Sequence, residues 1–249
     1  PISKSPLSLY EKIRKKPVPK SGFAGEKKPN ILDSFSIFIR GNFYLPDARK
    51  GWNKSAYSVA KNIITTHDID TIITSSPPHS TQLVGLKLKQ ELAVKWICDL
   101  RDPWTELFYN KDLYQTSIAK RIDKKYEKNC LESANELIVV SKTISNQFIK
   151  SYPITASKMN IIPNGYDPAD FKNVKEIITD YKYISYIGSL GEIYPIDKMI
   201  KAFKDLCLIE PKWKLRFVGN IPESTKSIIK NNKLESSVEI GSYKPHHEA

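Results

Sequence analysis

From residue 54 onward the apolar positions switch repeatedly between a helical period and short β-branched runs. Ala56, Val59, Ala60, Ile63 and Ile64 fall at i, i+3, i+4, i+7 and i+8, which predicts an amphipathic helix. The run DTIITSS at 70–76 predicts a strand. Leu83, Val84, Leu88 and Leu92 predict a second helix, followed by a strand over 93–100, AVKWICDL. Ile118, Ile122, Tyr126 and Cys130 fall four apart and predict one apolar stripe on a helix whose other faces carry Lys120, Arg121, Lys124, Lys125 and Lys128. Further strands are predicted at 136–140, 159–163, 183–188, 213–219 and 237–240, separated by helical patterns. Pro195 stands at the start of one such helix, with Ile196, Met199, Ile200, Phe203 and Cys207 on a shared face.

Strands alternating with helices imply an α/β fold whose parallel sheets are built from right-handed βαβ units. The polar interruption around 165–180 predicts a domain boundary, with one domain over 1–173 and a second over 174–249. In open α/β sheets, ligands bind outside the carboxyl ends of the strands. Those ends carry SSPPH, DLRDPW, PNG, GSLG and VGN.

Among these ends DLRDPW is the most demanding chemically. Asp99, Arg101 and Asp102 cannot all be buried without pairing. Either Arg101 and a carboxylate form an internal ion pair above a core Trp104, or they line a polar pocket. In such a pocket Arg101 meets an anion or hydroxyl and Trp104 packs on a sugar face. GSLG, at 188–191, brings glycines to a helix start, where N–H groups suit a phosphate or simply form a joint. VGN and PNG read as turns, and His79 as a group near a helix start, either an ordinary surface or capping histidine or a neutral imidazole that donates or accepts a hydrogen bond.

Composition removes other classes. The chain is 249 residues long, 40% hydrophobic and 27% charged, which is a globular balance. No apolar run approaches the roughly 18–20 residues that cross a bilayer. With no apolar leader core near its start, the chain is expected to be cytoplasmic. Cys98, Cys130 and Cys207 lack paired spacing and are expected as buried thiols, and the adjacent His246 and His247 lack the spacing of metal ligands. The start at Pro1 and the ending YKPHHEA suggest a fragment.

The net charge is +12, and half of it lies in residues 1–28, where Lys4, Lys12, Arg14, Lys15, Lys16, Lys20, Lys27 and Lys28 face only Glu11 and Glu26. That segment is either a solvated loop or a peripheral contact, through residues 4–28, with an anionic surface at the inner face of the plasma membrane. A nucleic-acid-binding module is disfavoured, because no aromatic-interleaved basic strand or recognition helix accompanies the charge.

Taken in order, FYLPDARKGW (43–52), IITSSPPHSTQLVGLKLKQ (72–90), WICDLRDPWTE (96–106), ANELIVVSKTISNQF (134–148), MNIIPNGYDPADF (159–171), YIGSLG (186–191), LRFVGN (215–220) and GSYKPHHEA (241–249) resemble bacterial glycosyltransferases of family 4. The resemblance implies the GT-B fold, two Rossmann-like domains facing across a cleft, both incomplete in this chain. It implies transfer of a hexose or related sugar from a nucleotide-sugar donor to a glycan or lipid-linked acceptor in cell-envelope or capsular polysaccharide synthesis. Anomeric configuration would be retained, with no metal or other cofactor.

On this mapping Asp99, Arg101 and Asp102 are the catalytic candidates, and Ser76, Pro77, His79 and Trp104 line the acceptor side. Asn164, Gly165, Gly188, Ser189, Gly191, Gly219, Tyr243, Lys244 and Pro245 belong to the donor side. The chain departs from the family's pattern in several places. Ser189, Tyr194 and Pro195 stand where many relatives carry an arginine and a Lys-Gly pair, Glu192 is the nearby charge, and Arg101 stands where many have histidine. The family's paired glutamates would fall beyond Ala249, and its first strand and glycine-rich loop before Pro1, so the chain alone is expected not to catalyse transfer. An epimerase acting on a nucleotide sugar is the alternative on the same fold.

Overall fold

A computed structural model describes residues 31–107, 110, 113–172, 179–192 and 194–245; the basic segment 4–28 and His246 and His247 lie outside these residues. The chain divides into two units at Gly165/Tyr166, eight residues before the boundary expected from the polar stretch. The 3-10 turn Pro168–Phe171 thus falls in the second unit, where Tyr166 meets Phe171 edge to face.

In the first unit, α1 (Ile31–Phe43) is followed by a 3-10 turn at Lys50–Trp52 and α2 (Asn53–Thr66). Then come β1 (Thr71–Ser76), α3 (Ser80–Glu91), β2 (Lys95–Leu100), α4 (Ser117–Ser133), β3 (Glu136–Val139), α5 (Lys142–Ser151) and β4 (Met159–Ile161). The strands pair in parallel in the order β1-β2-β3-β4, with Ser75 opposite Asp99 and Asp99 opposite Ile138. Trp96, Cys98 and Leu100 on β2 and Leu137 and Val139 on β3 alternate onto one sheet face, where they form the core with Leu86, Trp104, Cys130, Leu131 and Phe148. Asp99 alternates onto the opposite face with Ser75, Ile97 and Ile138.

Two glycines permit close approaches in this unit. A Cβ on Gly85, mid-helix in α3, would stand 2.4 Å from Trp96 Nε1, so the helix lies directly on the indole. A Cβ on Gly41 would stand 2.2 Å from the Leu113 carbonyl oxygen, which brings the end of α1 against the segment leading into α4. Asn42 completes that junction: its side chain donates to Tyr114 O at 3.1 Å and accepts from Thr116 N and Thr116 Oγ1, both at 2.8 Å.

The stripe expected on α4 is rotated. Thr116 caps the helix by accepting from Ala119 N at 3.2 Å. The buried side consists of Ala119, Asp123, Glu127, Cys130 and Leu131, while Ile118 is 68% and Ile122 40% exposed. Burial of two carboxylates wins because both receive hydrogen bonds from the loop that follows β2, as described below. On α2 the stripe is likewise only partly used: Ala56, Tyr57, Ala60 and Ile64 pack towards α3, and Val59 and Ile63 stay exposed.

The second unit comprises β5 (Lys182–Ile187), α6 (Ile196–Ile209), β6 (Trp213–Val218), α7 (Glu223–Asn231) and β7 (Val238–Gly241), paired in parallel as β5-β6-β7. Pro195 is the residue before α6, and Ile200 and Phe203 bury the expected face against Leu215, Phe217 and Ile229. Cys98 and Cys130 are buried in the first unit and Cys207 is half-buried in the second; none is in a disulfide.

Candidate functional site

The site in the first unit begins with the way β1 and β2 end side by side. Gln82, fully buried on α3, donates from Nε2 to Ser76 Oγ at 2.9 Å and to the Asp99 carbonyl at 2.9 Å, and Trp96 Nε1 donates to Thr74 Oγ1 at 2.7 Å. The two strand ends are therefore tied together from beneath. Asp47, in the loop after α1, accepts from Ser80 N at 2.7 Å and Ser80 Oγ at 2.9 Å, so a residue distant in sequence caps the start of α3.

Above this frame, Ser75 Oγ donates to Asp99 Oδ2 at 2.7 Å, and Arg101 Nη1 lies 3.5 Å from Asp99 Oδ1. Arg101 Nη2 donates to Asn164 Oδ1, and Arg101 N donates to Ser76 O at 2.9 Å. The guanidinium thus joins Asp99 on β2 to the segment after β4, and the Arg101 backbone amide ties the same residue to the end of β1. Asp102 is half-buried beside it. Asn164, expected on the donor side, lies in the same group as Asp99 and Arg101. Gly165 follows in open space, where a Cβ would meet nothing within 4 Å.

The loop after Arg101 is anchored from below. Trp104 is 1% exposed, and its Nε1 donates to Asp123 Oδ1 at 2.9 Å. Glu127 accepts from Thr105 N at 3.0 Å, Thr105 Oγ1 at 2.8 Å and Tyr152 OH at 2.7 Å. Burial pushes the Asp123 carboxyl up to about 6 despite the indole hydrogen bond. Burial, reinforced by Glu127, also raises the Tyr152 hydroxyl, which stays protonated as the donor.

His79 stacks on Trp104 with centroids 4.8 Å apart and planes 9° from parallel, and its Nε2 lies 3.1 Å from the Pro103 carbonyl. That carbonyl can only accept, which assigns the proton to Nε2. Burial lowers the imidazole pKa, partly opposed by Asp47, so the ring is neutral.

The structure corrects the acceptor wall. Ser76, His79 and Trp104 are buried, leaving Pro77 as the exposed member of the expected four. Trp104 cannot lie on a sugar face because His79 already covers its ring. The ion pair and the core tryptophan therefore both exist, and the polar group above them is Asp99, Arg101, Asp102 and Asn164. Sequence reasoning did not single out Asp47, Gln82, Asp123 or Glu127. The one signal for the last two is their spacing with Cys130, at i, i+4 and i+7, which puts two carboxylates on the face of a buried thiol.

In the second unit, the ends of β5 and β6 come close together. Gly188 and Gly219 have φ of +137° and +131°, and a Cβ on Gly219 would stand 2.3 Å from the Gly188 carbonyl oxygen. Gly188 N donates to Val218 O, Leu190 N to Asn220 O and Gly219 N to Gly241 O. Among the described hydrogen bonds, the amides of Ser189 and Gly191 have no acceptor. Glu192, the nearby charge, accepts from Ser224 Oγ at 2.7 Å. A groove of about 210 Å³ lined by Gly219, Asn220, Lys226, Gly241 and Ser242 opens at the ends of β6 and β7. Tyr243, Lys244 and Pro245 follow β7 and are exposed. Among the described residues, no three His, Cys, Asp or Glu side chains gather as metal ligands would.

A family model described as Glycosyltransferase Family 4 matches residues 23–170. No curated protein sequence matches the chain. Among solved structures, the lipopolysaccharide outer core galactosyltransferase WaaB aligns with a TM-score of 0.51 at 14% identity, covering 77% of this chain and 49% of its own. HepE from Anabaena, solved with UDP and glucose, aligns at 0.50 and 17% identity over 78% of this chain and 53% of its own. A UDP-GlcNAc 2-epimerase from Methanocaldococcus jannaschii aligns at 0.41 and 11% identity, over 96% and 64%. The chain spans about half the length of the WaaB and HepE structures, and likeness at these identities speaks to the fold alone.

Proposed function

Because the chain belongs to glycosyltransferase family 4, we propose that it is the acceptor-side domain and part of the donor-side domain of an enzyme moving a hexose-type sugar. The donor is a nucleotide sugar and the acceptor a glycan or lipid-linked glycan of the cell envelope or capsule. The carrying observation is the group Asp99, Arg101, Asp102 and Asn164 at the carboxyl end of a parallel sheet, held by a buried scaffold beneath the strand ends.

In such a reaction the leaving diphosphate must be stabilised while an acceptor hydroxyl attacks an oxocarbenium-like centre. Asp99 and Asp102 supply acceptors that orient hydroxyls, and Arg101 supplies a fixed cation. Ser189 and Gly191 supply amide donors for the diphosphate in place of the side-chain cations many relatives use. No metal or cofactor is required by this reading. The expected place of action is the cytoplasmic side of the membrane, with the basic segment 4–28 making peripheral contact with anionic lipid. Among the described residues no helix is long and apolar enough to cross a membrane.

Thermal shift against uridine, guanosine and adenosine diphosphates tests the donor half. One of the three should raise the melting temperature in proportion to its occupancy, and indifference to all three would overturn the reading.

A further inference from the structure

Asp102 stands in the polar group at the strand ends with no described hydrogen bond on its half-buried carboxylate, so its direction depends on how the backbone around it is held. On its N-terminal side the Arg101 amide donates to Ser76 O at 2.9 Å. On its C-terminal side Pro103 has no amide hydrogen, which leaves the carbonyl as its one backbone polar group. That carbonyl lies 3.1 Å from His79 Nε2.

His79 is itself fixed from several elements. It is the residue before α3, and Gln82 N donates to its carbonyl at 3.0 Å. The next residue, Ser80, gives its amide and hydroxyl to Asp47 and accepts at its carbonyl from Asn53 Nδ2 of α2 at 2.8 Å. The imidazole is 6% exposed and lies flat on Trp104, whose Nε1 is tied to Asp123 on α4. So held, the ring keeps Nε2 on the Pro103 carbonyl and Nδ1 buried without a partner among the described residues. A carbonyl cannot donate, so Nε2 carries the proton. A second proton on Nδ1 would create a buried charge, and burial keeps the ring neutral against the pull of Asp47 and Asp102.

We propose that His79 is a positioning residue of the candidate site: through the Pro103 carbonyl it fixes the turn that aims the Asp102 carboxylate, while the Arg101 amide fixes the other side. For what Asp102 does, this rests on the transfer reading; for how Asp102 is held, it rests on the geometry. Losing the Nε2 donor frees the carbonyl and lets the carboxylate swing, and such misplacement costs turnover rather than donor binding.

Two variants separate the donor from the ring. His79→Phe keeps a flat ring on Trp104 and has no N–H, whereas His79→Gln keeps an N–H at about the reach of Nε2 and loses the ring. In the intact enzyme His79→Phe should lower kcat about 10- to 100-fold with the donor KM unchanged, and His79→Gln should turn over at least about three times faster than His79→Phe. Melting temperature should rank the two the other way, because the ring packing survives in His79→Phe alone. Without any substrate, long-range 1H–15N spectra of the 249-residue chain should show His79 as the Nε2–H tautomer with a titration midpoint below the ordinary 6.5. The Asp102 amide resonance should shift in His79→Phe and return towards its wild-type place in His79→Gln. An Nδ1–H tautomer, an Asp102 amide that ignores both variants, or turnover that simply follows melting temperature would overturn the proposal. An intact enzyme that transfers no sugar sinks the transfer reading instead, and the tautomer and the Asp102 amide then decide the positioning by themselves.

Discussion

The guanidinium of Arg101 spans from Asp99, whose Oδ1 lies 3.5 Å from Nη1, to Asn164, whose side-chain oxygen accepts from Nη2. Asp99 Oδ1 is buried and has no hydrogen-bond partner among the described residues, so this cation is its compensation. Arg101 therefore holds the polar group together and also supplies its charge.

Replacing Arg101 by alanine is expected to abolish sugar transfer in the intact enzyme while leaving nucleotide affinity unchanged, since donor candidates other than Asn164 and Gly165 lie in the second unit. It should also cost about 1–3 kcal/mol of stability through the orphaned Asp99 oxygen. Asp102→Ala should remove turnover with little loss of stability, because no described hydrogen bond depends on its carboxylate. Turnover assays paired with urea melts separate the two effects, and normal turnover in either variant contradicts the assignment.

Glu127 satisfies three donors at once, two of them on Thr105. Glu127→Ala is expected to lower stability by about 3 kcal/mol, since it leaves one buried and two half-buried donors without an acceptor. Glu127→Gln should fall between, because an amide nitrogen cannot accept. Equilibrium denaturation reads both, and equal loss in the two variants would show that packing rather than hydrogen bonding holds the loop.

Asp123 gives a pH signature. Its folded carboxyl titrates near 6 against an ordinary 3.8. A carboxyl raised in this way contributes its full stability below pH 3.8, and that contribution is lost as pH rises through about 6. At ~1.36 kcal/mol per unit the span is of order 3 kcal/mol. Asp123→Asn keeps an oxygen for the Trp104 indole and removes the titration. The melting temperature of the variant should therefore gain on wild type between pH 4 and pH 7, and a constant difference across that range refutes the assignment.

Gly219 and Gly165 make a contrasting pair. Gly219→Ala puts a Cβ against the Gly188 carbonyl at positive φ and should destabilise by at least about 2 kcal/mol. Gly165→Ala fills open space and should change stability by no more than about 0.5 kcal/mol. Thermal melts of both variants check this, and an unaffected Gly219→Ala would mean that the β5 and β6 ends do not touch.

Much of the fold was legible because each β-branched run coincides with a strand to within two residues, as with 70–76 against Thr71–Ser76 and 213–219 against Trp213–Val218. Alternation then implies parallel pairing. The helix Ile31–Phe43 was not legible, because its phenylalanines are largely exposed and make no buried stripe. On α4 the expected stripe is half used: Tyr126 and Cys130 reach the core, but the hydrogen bonds from Trp104, Thr105 and Tyr152 pull Asp123 and Glu127 inward and leave Ile118 and Ile122 outside. No single-position pattern carries such long-range pairing. At the site, the sequence brought Asp99, Arg101 and Asp102 together as neighbours, whereas the Asn164 contact needed the turn after β4. Trp104 was misjudged because its partner, His79, sits 25 positions away.

The placement of the three cysteines has a practical consequence. Burial raises the thiol pKa of Cys98, Cys130 and Cys207, and the two that are fully buried, Cys98 and Cys130, react slowly with alkylating reagents while the chain is folded. Cys98 and Cys130 lie in the first unit and Cys207 in the second. Alkylation of Cys98 and Cys130, followed by peptide mass spectrometry, therefore times the opening of the first unit from native residues and without an added probe.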